Sequence, residues 1–460
     1  MGKMNIYIDV EISLRELDSG LLLAILAASK GHKVLISHLT EIILGFKSGI
    51  LAPGIFHTTN LAPTNQKILR HQNIINNGSF ITSIDEEGGL VDHGYDKFAK
   101  VRYSDHTLEQ SAAVFGWGLE DAETLKKIYH KHNDKIHVTG SARADLWKPK
   151  FYKYWGTPKN IPKKPYLLVS SNMHSITKIT SFHKEFKYLK QAGYFDRDPG
   201  FFSKLFKQAA EDTRKTGAFV EAIIHLANNS NGFDIVLRPH PTENIEAWKI
   251  FLEDIPNVHV IQNDSITPWV NNAFAVMHNS CTTAIEATVT RKPVVTYIPF
   301  YQEYNSREIP NKLGHKTSTL KELSETVNNL FNDIQINEEE KVKKIPDIIS
   351  KKIYFDEDEL AAEKIVKIWK SLNNKKLSKK INWIKLKWLL KISDFRIIAG
   401  KFKQKLFPSK FGPYREIYKF PKLEKNDIYR RFNKMYKILG INEKLECYLL
   451  SDRTILIKKS

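Results

Sequence analysis

Two short segments about forty residues apart place the tightest limits on what this chain can fold into. The first, Asp234-Ile-Val-Leu-Arg-Pro-His-Pro241, is an apolar strand running into Arg238, Pro239, His240 and Pro241. The second, Ala275-Val-Met-His-Asn-Ser-Cys-Thr-Thr-Ala-Ile-Glu-Ala287, is a strand ending in hydroxyl residues that open a helix. Strands that hand over to helices through polar residues are the building unit of an open α/β sheet, not of a sandwich or a helical bundle. In such sheets ligands sit beyond the carboxyl ends of the strands. Asn279, Ser280, Thr282 and Thr283 at a helix start suit an anion, because unpaired N–H groups and the helix dipole favour negative charge there. Arg238 and His240, expected on the neighbouring strand, would add cationic donors. The expectation is a phosphate site, that of a nucleotide.

The rest of the chain repeats the pattern. Asn5–Val10 reads as a strand, Leu21–Lys30 as a helix and Lys33–Ser37 as a second strand, a βαβ opening. The intervening turn, Glu11-Ile-Ser-Leu-Arg-Glu-Leu-Asp18, has no glycine fingerprint, which argues against a standard dinucleotide site. Arg15, Glu16 and Asp18 either face a cleft or cap the helix. Further strands are expected at Gly54–Thr58, Phe80–Ile84, Ala113–Gly116 and Lys135–Thr139, and Lys148–Lys164 reads as an interdomain linker. A second series follows, through Tyr166–Ser170, Asp234–Arg238, Val258–Gln262, Ala275–His278 and Pro293–Ile298. With 460 residues, more than one core is needed. The expected fold is α/β: two doubly wound, Rossmann-like domains at 1–160 and 161–350 facing a cleft, then a basic, mostly helical extension at 351–460 ending in a β-hairpin.

Charge is unevenly placed. Of the net +19, residues 351–460 hold 29 Lys/Arg against 12 Asp/Glu, which leaves only +2 for the preceding 350 residues. The basic character therefore belongs to the tail and not to the phosphate site. Its lysines alternate with Trp369, Trp383, Leu386, Trp388, Leu390 and Phe395, so amphipathic helices with one basic and one aromatic-aliphatic face are expected. Only Cys281 and Cys447 occur, which excludes a disulfide framework and shows no metal-type spacing. The first residues carry no signal-peptide core, and no run approaches the roughly 18–20 apolar residues of a membrane span. A cytoplasmic protein, peripheral on the membrane, is expected.

Phe80-Ile-Thr-Ser-Ile-Asp-Glu-Glu-Gly-Gly-Leu90 places Asp85, Glu86 and Glu87 directly after a strand. Adjacent carboxylates repel one another, which raises at least one pKa toward the range of a general base. The competing reading is a solvated acidic turn. His240 stands between two prolines that hold it in an extended loop, whereas His278 lies within a strand pattern and reads as core. Trp117, flanked by glycines, reads as packing or as a platform for a sugar.

Together these residues resemble a known group. Glu86-Glu87-Gly88, His240-Pro241 and Ser280 with Thr282-Thr283 are similar to the three motifs of bacterial sialyltransferases and Kdo transferases, GT-B enzymes that use CMP-activated sugars. Val10 to Asp18, Asp85 to Gly88, Gly140-Ser-Ala-Arg-Ala-Asp145 and Arg238 to Ala287 resemble bacterial surface carbohydrate biosynthesis proteins. The resemblance covers roughly residues 4–350. It implies a metal-independent glycosyltransferase with no cofactor beyond its CMP-sugar donor. His240 and the hydroxyls of Ser280, Thr282 and Thr283 would hold the donor phosphate, and Glu286 would reach the ribose. One of Asp85, Glu86 and Glu87 would be the base, and retaining and inverting outcomes both stay open. A Kdo-like or nonulosonic sugar would pass to a surface glycan or lipid-linked glycan.

The alternative is a CDP-glycerol or CDP-ribitol polyol-phosphate transferase, which would use an upstream histidine, His93 or His106, as base. A basic nucleic-acid-binding protein is a third reading, against which the confinement of charge to one end weighs. For the tail, attachment to the inner membrane surface is the expectation, with a solvated basic face packed on the domains as the alternative.

Overall fold

The computed structural model describes residues 4–91, 95–173, 176–177, 181–191, 195, 200–230, 232–262, 264–303, 308–336, 346–356, 358–372, 380–406 and 419–460. The chain forms two compact units, Met1–Tyr154 with Asp347–Ser460, and Trp155–Pro346. The change of unit falls inside the expected linker.

The first unit is built on eight strands: β1 (Asn5–Asp9), β2 (Lys33–Ser37), β3 (Gly54–Thr58), β4 (Phe80–Ile84), β5 (Ala113–Gly116), β6 (Ile136–Val138), and later β13 (Leu445–Ser451) and β14 (Thr454–Lys459). Their order is β13-β14-β2-β1-β3-β4-β5-β6. From β2 to β6 neighbours run parallel, while the C-terminal hairpin joins β2 antiparallel. β1 and its neighbours are buried on both faces, as parallel strands between helical layers require. The chain leaves β1 on one side to form β2 and on the other to form β3. That reversal is the topological switch point, where α/β sheets open a crevice.

The first helix, Ser13–Ser29, starts earlier than its apolar run suggests. The Glu16 carboxylate accepts the N–H groups of Glu11 and Ile12 at 2.7 and 3.1 Å, so the expected turn at Glu11–Asp18 shrinks and Glu16 is a buried cap. Asp18 is also inward, bound by Arg431 and the Tyr154 hydroxyl.

The described residues of 347–460, expected as an extension beyond the two domains, belong to this unit, and several of them enter its core. Asp145 accepts the N–H groups of Ala361 and Ala362 at the start of the helix Ala361–Ser371, at 3.0 and 2.9 Å. Trp369 on that helix is fully buried, its indole N–H bonded to Thr82 Oγ1 at 3.0 Å and its ring against His57. Arg453 in the terminal hairpin makes a buried ion pair with Glu41, which also accepts from Ser393 on the helix Trp383–Leu406. Trp369, Leu386 and Leu390, expected on an outward apolar face, are therefore packing residues.

Among its described residues the second unit has six parallel strands: β7 (Tyr166–Ser170), β8 (Asp234–Arg238), β9 (Val258–Val260), β10 (Ala275–His278), β11 (Val294–Tyr297) and β12 (His315–Thr317). Their order, β12-β11-β10-β7-β8-β9, puts the switch point between β7 and β10. β8 is thus not the neighbour of β10, as expected from sequence. β7 runs between them, with Ser170 level with both Arg238 and His278.

Candidate functional site

Two sets of polar residues lie at strand carboxyl ends, one in each unit.

In the second unit the polar segment after β10 turns mostly inward. Ser280 is fully buried with φ of 56°, a left-handed conformation rare for a residue with a side chain. It is held there by Asn311, whose Oδ1 accepts the Ser280 N–H at 2.7 Å and whose Nδ2 donates to Ser280 Oγ at 2.9 Å. Asn279 is buried too, donating to the Tyr297 carbonyl at 2.7 Å and accepting from Ser280 Oγ at 3.1 Å. Asn279 and Ser280, expected as phosphate ligands, have their side chains engaged by partners within the unit. Thr283 Oγ1 accepts from Ser170 Oγ at 3.1 Å, a bridge across the switch point, while Thr282 is half-buried at the helix start. Glu286 lies buried in the first turn of the helix Thr283–Val289. His278 is core as expected: burial drives its pKa down to about 3, and its Nε2 meets Thr296 Oγ1 at 2.8 Å.

His240 is half-buried, and its Nδ1 accepts the Thr242 N–H at 3.3 Å with Thr242 Oγ1 at 2.8 Å. In the neutral ring that places the proton on Nε2. The loop that carries it is fixed by Glu243, a residue sequence reasoning missed. Glu243 is fully buried and accepts from Ser171 Oγ, the Met173 N–H and Trp248 Nε1, joining the segment after β7 to the histidine loop. Burial raises its pKa to about 7 against those donors. Arg238 is buried beneath: it donates to the Asp264 carbonyl at 2.7 Å and lies over the Trp269 ring, and burial lowers its pKa to about 10. Ser170, Ser171 and Asn172 occupy the switch point between the two expected motifs. The strand-then-Ser-Ser-Asn pattern was the signal for them.

In the first unit the three adjacent acids have three different environments. Asp85 is buried and held by Arg102 at two points, Nε to Oδ2 at 2.6 Å and Nη2 to Oδ1 at 2.9 Å. Glu87 is exposed, with Arg15 and Arg102 each 3.8 Å away. Glu86 is buried, and its Oε2 has no hydrogen-bond partner. Its pKa rises to about 7, from burial first and then from the charge of Glu16, with Arg143 and Arg15 acting the other way. Asp9 at the end of β1 lines the same recess with Glu16, Thr58, Thr59 and Glu86. Asp9 Oδ2 accepts from Thr58 Oγ1 at 3.1 Å, Oδ1 has no partner, and burial followed by Glu16 lifts its pKa to about 7.

Two separated sequence motifs thus meet at this recess through Glu16 and Glu86, and the charges of Arg15 and of Arg143, from a third motif, act on Glu86. The other charged residue of the third motif, Asp145, is structural. Gly89 is where it is because Trp117 is there; a Cβ would come 2.5 Å from the indole ring. Trp117 is buried and donates to the Asp85 carbonyl at 2.8 Å, so it packs and is not a sugar platform. Of the alternative bases, His106 is exposed on the short helix Asp105–Glu109 and His93 lies outside the described residues. Among the described residues no group of His, Cys, Asp and Glu is arranged to hold a metal ion.

The fold is therefore α/β with two Rossmann-like units and a largely helical C-terminal region. No family model matches the chain, and no curated protein matches it. Among solved structures it is similar to a putative UDP-N-acetylglucosamine 2-epimerase from Listeria monocytogenes, at 14% identity and TM-score 0.49 over 81% of this chain and 97% of that one. A glycosyltransferase from Rickettsia africae gives 13% identity and TM-score 0.43 over 81% and 100%. The wall teichoic acid polymerase TagF gives 10% identity and TM-score 0.45 over 81% and 90%.

Proposed function

We propose that the chain is a GT-B glycosyltransferase that moves a Kdo-like or nonulosonic, sialic-acid-type sugar from a CMP-activated donor to a bacterial surface glycan. The reading rests on the sequence motifs, and one observation carries the chemistry. Glu86 is a buried carboxylate with a bare oxygen and a pKa near neutrality, at the switch point of a Rossmann-like sheet. A base poised there is matched to the removal of a hydroxyl proton near pH 7. Glu86 takes the proton of the acceptor hydroxyl as that oxygen bonds to the anomeric carbon. The anomeric C–O bond to the CMP phosphate breaks, and its electron pair leaves with CMP.

On the donor side, His240 Nε2–H and Thr282 meet the phosphate, and no metal is required in this scheme. Prepositioned donors aimed at developing phosphate charge are the usual source of such stabilisation. The acceptor is a glycan, free or lipid-linked.

Incubation with a CMP-activated Kdo or nonulosonate and a glycan acceptor, with EDTA present, tests the proposal. Release of CMP that depends on acceptor and falls about 10²-fold or more in Glu86→Gln is expected, since general bases contribute about that much. Turnover of CDP-glycerol in place of the CMP-sugar would replace this reading with the polyol-phosphate transferase.

A further inference from the structure

The helix Trp383–Leu406 has two apolar faces. Leu386, Leu390 and Ser393 are buried, with Ile397 half-buried, at the i, i+4, i+7, i+11 spacing of one helical face. Leu386 and Leu390 join the core of the first unit, Ser393 donates to Glu41, and the Asn382 N–H bonds to the Ile50 carbonyl at 3.0 Å just before the helix. On the opposite face Ile384, Trp388, Ile392, Phe395, Ile398 and Phe402 form a second stripe that faces solvent. Ile384, Trp388, Phe395 and Phe402 are 74%, 65%, 70% and 62% exposed. Isolated exposed apolar residues need no explanation, but a continuous stripe with three aromatics does. The helix is about 36 Å long at 1.5 Å per residue.

Charge identifies what covers the stripe. Lys385, Arg396 and Lys403 border it on one side, Lys387 and Lys401 on the other, and Lys391 lies within it, 5.8 Å from the Trp388 ring. The single acid of the helix, Asp394, is half-buried and accepts the Asp452 N–H at 3.2 Å. A second copy of the helix would bring lysine against lysine along both borders with no acid to oppose them, which disfavours pairing. An anionic surface with an apolar interior matches both the stripe and its borders. Among the described residues no helix is long and apolar enough to cross a membrane.

We propose that this helix lies in the interface of an anionic bilayer, with Ile384, Trp388, Phe395 and Phe402 among the acyl chains and the bordering lysines at the headgroup phosphates. Its buried face fixes it to the first sheet, so the stripe is a rigid outward rail. The rest of the described C-terminal region packs within the unit, so membrane contact narrows from the whole basic tail to one face of one helix. Such membrane binding is independent of the donor sugar and is measured without turnover.

The test uses the full chain and co-sedimentation with vesicles of phosphatidylglycerol mixed into phosphatidylcholine, or of phosphatidylcholine alone. The comparison is a Trp388→Glu, Phe395→Glu, Phe402→Glu variant, whose exposed positions leave the melting temperature near that of the unsubstituted chain. Binding to the anionic vesicles is expected to weaken at least about tenfold in this variant and about fivefold for each of Lys387→Gln and Lys401→Gln. Tryptophan quenching by brominated lipid should diminish in Trp388→Phe. Equal vesicle binding by the triple variant, or no vesicle binding by the unsubstituted chain, would overturn the proposal. So would a dimer that the triple substitution abolishes in a chain that ignores vesicles, or RNA binding that the apolar substitutions leave intact while vesicles are not bound.

Discussion

Asp85 and Arg102 form a two-point ion pair in which both carboxylate oxygens are committed, at 2.6 and 2.9 Å. The pair separates three acids that look equivalent in sequence, for it makes Asp85 a structural anion and leaves Glu86 as the buried carboxylate with a bare oxygen. Burial pushes the Asp85 pKa up, and Arg102 pulls against it. Asp85→Asn is expected to lower stability by about 2–3 kcal/mol, since breaking a largely buried pair leaves a charge without its partner. Urea unfolding at neutral pH checks this.

Glu86→Gln should act in the opposite direction. The Glu86 carboxyl titrates near 7 in the folded chain and near 4.3 when unfolded. The folded state therefore holds an extra proton between those values. Its stabilising contribution is full below about pH 4 and is lost as pH rises through 7. Glutamine removes that loss. The variant should be more stable than the unsubstituted chain at pH 8, by up to about 3 kcal/mol, with the advantage fading toward pH 4. Melting temperatures across that range measure it, and equal pH profiles for the two proteins would contradict the assignment.

Asp145 ties the C-terminal region to the first sheet through the Ala361 and Ala362 N–H groups and through Lys148, 2.9 Å away and buried. Asp145→Ala strands that lysine and uncaps the helix Ala361–Ser371. A loss of about 3–5 kcal/mol is expected from the broken pair, seen as a shifted denaturant midpoint. A change below about 0.5 kcal/mol, the range of ordinary surface substitutions, would mean that the C-terminal region is not integral to the unit.

Ser280 adopts its left-handed conformation at the head of the β10 turn. Both Ser280→Ala and Ser280→Gly lose the Oγ bonds to Asn279 and Asn311, but glycine alone escapes the backbone strain. Ser280→Gly should therefore be more stable than Ser280→Ala by about 1 kcal/mol, which paired unfolding curves resolve.

Much of the fold was legible in the sequence. β3, β4, β5, β7, β8 and β10 fall at their expected bounds because each is a short, mostly apolar run closed by a polar residue or a glycine. Strand order was not legible, since a crossover connection decides it and no local residue records it; β7 between β8 and β10 is the instance. Asp9 looked like the ordinary end of a strand, and only its convergence with Glu16 and Glu86 gives it chemical meaning. Asn279 and Ser280 read alike in sequence whether their side chains face a ligand or, as here, partners within the unit. Trp388 and Trp369 likewise stand in similar basic, apolar stretches, yet tertiary packing buries one and exposes the other.

Thermal stabilisation by free nucleotides tests the central claim most directly, using CMP, CDP, UDP, GDP and ADP with EDTA present. A ligand that binds only the folded chain adds about 2.7 kcal/mol at 100-fold its dissociation constant. A shift selective for CMP and lost in His240→Ala, with the unliganded melting temperature unchanged, is the predicted result. A preference for UDP or GDP, or a CMP shift that survives His240→Ala, would contradict it.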